Sequence, residues 1–320
     1  MTKFRVFVTR NVPQKAIELL KDKVLVTQWA HDTAIPRDEL KKSIANVDAL
    51  FCLLTEKIDA DLLDAAKQLK VIGTMSVGYD HIDLPECRKR NLVLGYTPNV
   101  LTEATAELTI ALLLCTARRL IEANKAVHSG EWGTWGPLWM CGHGIQNSTV
   151  GIIGMGRIGL SLAEKLRSFH PANIIYYDVY ENNAASKFDA KRVSFEELLK
   201  RSDFISVNSA LTDDTRHMMN ADAFAKMKQT AVLVNTSRGP LVDQDALYDA
   251  LKYGKIGAAG LDVCYPEPLP VDHPLLTLPN FIQLPHIGSA TLETREAMAT
   301  LTAENILAGL FDQHMRAPIP

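Results

Sequence analysis

Cysteine is scarce in this chain, and what there is forms no pattern. Five residues (Cys52, Cys87, Cys115, Cys141 and Cys264) are scattered over 320 positions without a C-x-x-C pair. An odd, dispersed set supports neither a disulfide framework nor a zinc cluster, and reads as reduced thiols filling a core. Long apolar runs are missing as well. The longest, Leu108 to Ala117, is interrupted by threonine and falls short of the roughly 18 residues a membrane span needs, so it reads as buried helix. Nor is there a surplus of charge: 34 Lys and Arg against 37 Asp and Glu leave a formal net charge of -3. That balance gives neither nucleic acid nor an anionic membrane an electrostatic handle. A strand-like pattern begins at Arg5, so no signal or transit peptide is expected and a cytoplasmic home is the default.

What is present suits two ordinary soluble domains. The length exceeds what one hydrophobic core usually fills, and 47% apolar with 22% charged residues is typical of globular chains. Short strand patterns at Arg5–Thr9, Ala49–Leu54, Val71–Ile72 and Val93–Leu94 alternate with helical ones at Gln14–Leu20, Arg37–Ala45 and Ala60–Gln68. A second series runs Val150–Ile153, Ile174–Tyr177, Phe204–Asn208, Ala231–Val234, Ala258–Leu261 and Phe281–Leu284, and Ser194 with Glu197 forms a capping box in front of one intervening helix. Such alternation predicts parallel sheets covered by helices, hence an α/β chain with two doubly wound domains. Between the series lie a long helical pattern, Thr102 to Val127, and an irregular stretch, Ser129 to Asn147, carrying Trp132, Trp135 and Trp139. A last helical pattern, Leu292 to Leu310, is too short for a domain of its own. It is expected to return to the first domain, so that residues 1–99 with 291–320 enclose an inserted domain of residues 100–290.

The strongest motif opens that inserted domain. Gly154, Gly156, Arg157, Ile158 and Gly159 fall in G-M-G-R-I-G, after one strand pattern and at the head of a helix, and Asp178 ends the next strand. The first glycine permits a tight turn, the second lets backbone N–H groups approach a pyrophosphate, and the third lets helix and strand pack closely. The helix N-terminus adds unpaired donors and partial positive charge. The reading is a dinucleotide site.

Three polar side chains follow later strands: Arg238 in N-T-S-R-G-P, Glu267 in Y-P-E-P-L-P and His286 in L-P-H-I-G-S-A-T. Carboxyl ends of parallel strands are where doubly wound sheets place their sites. Together the three suit hydride transfer to a 2-keto acid. A guanidinium holds a carboxylate through two parallel bonds, an imidazolium donates a proton to the carbonyl oxygen, and a carboxylate bonded to that ring favours its charged form. No second His or Cys stands at ligand spacing from His286, so no metal is expected, and the absence of G-x-S-x-G argues against a serine hydrolase.

With these segments in place the chain resembles the D-isomer-specific 2-hydroxyacid dehydrogenases over nearly its whole length. The motifs are Met75–Asp83, Gly95–Leu108, the glycine run, Asn235–Asp243, Gly260–Pro268 and Leu284–Thr291, in that order. Within the family, Trp135–Gly144 and Pro266–Leu278 are most similar to animal-type glyoxylate/hydroxypyruvate reductases. The resemblance implies a flavodoxin-like substrate domain, a Rossmann cofactor domain and D-2-hydroxy acid products. Arg238 is implied as the carboxylate-binding residue, His286 as acid/base and Glu267 as its partner. It further implies substrate contacts from the Val77 and Gly78 N–H groups and Asp262 against the nicotinamide amide. Thr105 is implied beside the cofactor phosphates, with Gly288 next to the cofactor. It implies a homodimer built through about Leu120 to Asn147, with Trp139 reaching the partner's site. A phosphoglycerate dehydrogenase-like enzyme is the competing activity, and a dinucleotide-sensing corepressor-like scaffold the competing class. Animal-type reductases carry an arginine for the NADPH 2′-phosphate after the second strand, where this chain has Asp178 and no basic residue before Lys187. A carboxylate there accepts ribose hydroxyls and repels a phosphate, so NAD(H) is expected over NADP(H).

Overall fold

In the computed structural model, which describes residues 3–320, strands and helices alternate along the chain. The chain divides into two compact units, Met1–Leu101 with Ser289–Pro320, and Thr102–Gly288.

The first unit is a five-stranded sheet of β1 (Arg5–Val8), β2 (Leu25–Gln28), β3 (Ala49–Cys52), β4 (Val71–Thr74) and β5 (Val93–Gly95) in the order β2-β1-β3-β4-β5. Every pairing is parallel, and the order is that of flavodoxin-like folds. Strands β3 and β4 are buried at every position, as strands covered on both faces must be. The helix Leu292–Leu310 packs on them at very short range: a Cβ on Gly73 would lie 2.7 Å from Ile306 Cγ1, and one on Gly309 2.9 Å from Val71 Cγ2. The tail beyond it covers the β5 edge, Ile319 N–H donating to Leu94 O at 2.8 Å and Tyr96 N–H to Ala317 O at 3.0 Å. Strand β2 is absent from the sequence reading because only alternate residues of L-V-T-Q are even partly covered, which leaves no apolar run to see.

The second unit has seven parallel strands where the sequence suggests six: β6 (Thr149–Ile153), β7 (Asn173–Tyr177), β8 (Ala190–Arg192), β9 (Phe204–Val207), β10 (Val232–Asn235), β11 (Ala258–Leu261) and β12 (Phe281–Gln283). The order β12-β11-β10-β9-β6-β7-β8 reverses at β6, which is the dinucleotide-binding topology with one strand added. The strand added to that order is β12; the one missing from the six expected is β8, an outer A-K-R with two exposed residues, again without hydrophobic pattern.

The long helical pattern at Thr102–Val127 is two helices, Thr102–Ala117 and Leu120–His128. Arg119 breaks it in the left-handed conformation at φ 55°, held by its guanidinium on Glu122 at 2.7 and 2.8 Å. The loop supplies the cap: His143 N–H donates to Ala117 O at 3.0 Å, and a Cβ on Gly142 would lie 2.1 Å from that oxygen. Among the described residues no helix is long and apolar enough to cross a membrane.

Candidate active site

The turn after β6 is built from three glycines with different constraints. Gly154 has φ +92°, and a Cβ on it would lie 2.8 Å from the Asn208 carbonyl at the end of β9. On Gly159 a Cβ would lie 2.3 Å from Gly154 O, so the helix Arg157–Leu166 can approach the turn only without one. A Cβ on Gly156, by contrast, would meet no neighbouring atom within 4 Å among the described residues. Gly156 caps that helix with no side-chain bond, which leaves first-turn N–H groups beside open space, the arrangement that binds phosphates. Arg157 is exposed and Ile158 half-buried on this turn.

Asp178 is tied to the same turn. Its Oδ2 accepts the Met155 N–H at 2.8 Å, and Asn182 Nδ2 donates to Met155 O at 2.7 Å, so the residue between Gly154 and Gly156 is bracketed from both sides. Asn208, whose main chain Gly154 turns against, has its side-chain Oδ1 buried without a hydrogen-bond partner among the described residues. An orphaned buried acceptor costs about 1–3 kcal/mol unless something donates to it. The open ground above Gly156, the free helix N-terminus and this unused acceptor fit a dinucleotide with ribose hydroxyls. Asn182 and Asn208 escape sequence reading because neither belongs to a spaced motif.

At β10 to β12 the sheet's carboxyl edge is built differently. Asn235, fully buried, shapes the turn carrying Arg238: its Oδ1 accepts Ser237 N–H at 3.0 Å and its Nδ2 donates to Arg238 O at 2.8 Å. Gly239 then presses on the next loop, where its Cβ would lie 2.1 Å from Cys264 O. In that loop Glu267 Oε1 accepts the Cys264 N–H at 3.1 Å, and Oε2 meets His286 Nδ1 at 2.9 Å. Burial alone would push the Glu267 carboxyl up. His286, the Cys264 N–H and the Arg238 charge outweigh burial and hold it below the ordinary glutamate range. Glu267 is therefore an ionised acceptor at neutral pH, which assigns the Nδ1 proton to His286 and leaves Nε2 as the ring's other nitrogen for a further partner.

His286 has φ 57°, uncommon for a residue with a Cβ. Asp262 at the end of β11 holds it there: Asp262 O accepts His286 N–H at 2.8 Å, Oδ1 accepts Ile287 N–H at 2.8 Å and Oδ2 accepts Gly288 N–H at 2.7 Å. Asp262 is 1% exposed, and burial raises its carboxyl above the usual range despite these bonds. Thr105 lies against the same loop, its Oγ1 3.7 Å from where a Gly288 Cβ would be. Arg238, Glu267 and His286 are thus brought together.

In the first unit, Val77 and Gly78 follow β4 in a half-buried loop, and no N–H bond of either is made among the described residues. Ser76 Oγ holds the loop by donating to Gly78 O at 2.7 Å. The tryptophan-rich stretch of the second unit is not core: Trp132, Trp135 and Leu138 are exposed, and Trp139 keeps 43% of its surface. Among the described residues no cluster of His, Cys, Asp and Glu could hold a metal.

A doubly wound sheet with an open glycine turn at its switch point and a histidine–carboxylate pair at its carboxyl edge defines a dinucleotide-dependent α/β protein. The family profile for the D-isomer specific 2-hydroxyacid dehydrogenase NAD-binding domain matches residues 110–288. Human glyoxylate reductase/hydroxypyruvate reductase is 51% identical over 315 residues, 97% of this chain and 96% of that protein. The NADPH-dependent glyoxylate/hydroxypyruvate reductase of Sinorhizobium meliloti, solved with NADP and malonate, superposes with a TM-score of 0.87 at 29% identity, covering 99% of this chain and 97% of that one. The D-lactate dehydrogenase of Aquifex aeolicus, solved with NAD and lactic acid, superposes at 0.86 with 29% identity over 98% of each chain. This chain belongs to the D-isomer-specific 2-hydroxyacid dehydrogenase family.

Proposed function

We propose that the chain reduces a small 2-keto acid, glyoxylate or hydroxypyruvate, to the D-2-hydroxy acid with NADH preferred over NADPH. The observation that carries the reaction is the 2.9 Å Glu267–His286 pair, with the Arg238 charge close enough to lower the Glu267 pKa. The nicotinamide, when bound, supplies the hydride. Arg238 binds the substrate carboxylate through its planar fork, fixing the carbonyl carbon in place. His286, held by Glu267 at Nδ1, gives in its protonated form the Nε2 proton to the carbonyl oxygen and takes it back in the oxidative direction. Asp262 holds the histidine loop and offers its remaining lone pairs to the nicotinamide amide. The Val77 and Gly78 N–H groups donate to a carboxylate, and Gly154, Gly156, Arg157, Ile158, Thr105 and Gly288 surround the cofactor.

The NADH preference rests on Asp178, whose carboxylate lies against the glycine turn. Acceptance of both substrates is part of the proposal, since an apolar pocket discriminates one methylene by only about 1–3 kcal/mol. The homodimer is supported by the exposed apolar side chains Leu120, Ile121, Val127, Trp132, Trp135, Leu138 and Trp139, all in the segment it would bury. Trp139 is proposed to enter the partner's substrate pocket. The unpaired cysteines fit a cytoplasmic home. The test is steady-state kinetics with glyoxylate and hydroxypyruvate, each with NADH and NADPH. No turnover on either acid overturns the reaction, and equal kcat/KM for the two cofactors overturns the preference.

A further inference from the structure

Beside Asp178 lies a cation that sequence distance hides. Lys187 is the first basic residue after Asp178, yet it lies in the turn Asn183–Phe188 and makes no side-chain bond to the Asp178–Tyr180 loop among the described residues. Arg192, five positions further on, ends the outermost strand β8 in register with Tyr176. That register carries its guanidinium to the loop. Nε and Nη2 donate to Asp178 O at 3.2 and 3.0 Å, and Nη2 also to Val179 O at 2.7 Å. Among the described residues the Nη1 edge of the fork has no partner, and the side chain is exposed.

The Asp178 carboxylate is itself partly committed. Oδ2 takes the Met155 N–H at 2.8 Å, and Oδ1 lies 3.4 Å from the Tyr180 N–H. A group arriving at this lip therefore meets one negative charge with a fixed positive charge bonded to the same residue's main chain. A guanidinium stays charged at every accessible pH and presents paired donors matched to phosphate oxygens.

We infer that Arg192 is a specificity-determining residue: its free Nη1 edge binds the 2′-phosphate of NADPH, and so sets how much NADPH is tolerated beside Asp178. Asp178 favours the ribose diol, Arg192 favours the phosphate, and their balance fixes the ratio. The inference rests on the dinucleotide reading of the glycine turn and adds a second, opposing determinant to it.

Quenching of tryptophan fluorescence measures the dissociation constants of NADH and NADPH without turnover. Arg192→Gln keeps a donor for the carbonyls and removes the charge, and is expected to raise the NADPH/NADH ratio of dissociation constants about tenfold. Asp178→Ser is expected to lower that ratio about tenfold, and adding Arg192→Gln to it to reverse the gain. Arg192→Lys, a point charge without the fork, falls between Arg and Gln. An unchanged ratio, including the case where both constants rise by the same factor, overturns the inference and leaves Arg192 a loop strut. Failure of the unsubstituted chain to bind NADH would instead overturn the dinucleotide reading.

Discussion

Along the carboxyl edge of the seven-stranded sheet, the turn after β6 leaves N–H groups unpaired and the space above Gly156 open, whereas the loops after β10, β11 and β12 close on one another through Gly239, Asp262 and Glu267. The glycine end works by subtraction. On the proposed reading, side chains are missing where a polyanion would come close, which leaves the binding to backbone dipoles. The histidine end works by saturation: each carboxylate oxygen of Asp262 and Glu267 already has a partner, and a left-handed His286 is held against its own preference. A phosphate tolerates small displacements of its donors, but a proton donor has to keep one ring orientation and one ionic state. Under the proposed function, the difference in construction follows from that difference in task.

Substitutions that damage one end alone are the sharpest way to break this contrast. His286→Gln should have the largest effect, lowering kcat by about 10² to 10⁴-fold while NADH still binds. Parallel loss of NADH affinity would show that the two ends do not work separately. Gly159→Ala is the mirror experiment. Its Cβ would meet Gly154 O at 2.3 Å, so the helix must shift, costing about 1–3 kcal/mol of stability and at least about tenfold in NADH affinity. Calorimetry and fluorescence titration read the two quantities, and an unchanged NADH affinity would mean that the turn does not need its close packing. Arg238→Lys comes third: KM for the keto acid should rise about tenfold with a smaller change in kcat, because a point charge cannot reproduce the bidentate fork. A fall in kcat alone would move Arg238 from binding to chemistry.

The same contrast governs what could be read from the sequence. At the glycine end the constraint is a spacing, and G-M-G-R-I-G with Asp178 announces it. At the histidine end the positions of Arg238, Glu267 and His286 after successive strands were legible, but the bonds holding them were not. Asp262 grips His286, Ile287 and Gly288 through main-chain donors, and Asn235 shapes the Arg238 turn in the same way. Side chain-to-backbone bonds leave no period in a sequence. The elements missed share a related cause. Strands β2 and β8 are outer strands without an apolar run, and the break at Arg119 puts a non-glycine residue in the left-handed region, where composition gives no warning. Arg192 shows the cost most directly: it is far from Asp178 in sequence order and bonded to it through the strand register.

The smallest expected effect tests saturation itself, through pH. Glu267 is held below the ordinary glutamate range, burial opposing and His286, Cys264 and Arg238 prevailing. A carboxyl lowered by folding adds stability that is fully present above its unfolded value, about 4.3, and is lost as pH falls through the lower folded value. Glu267→Gln removes that contribution at every pH. Melting curves of the two proteins from about pH 6 to about pH 3 should therefore show the unsubstituted chain ahead by about 2–4 °C at the upper end, with the gap closing as the carboxyl is protonated. A gap that stayed constant would mean that Glu267 contributes packing alone, and one that widened in acid would mean that folding raises its pKa, making the histidine end no more saturated than the glycine end.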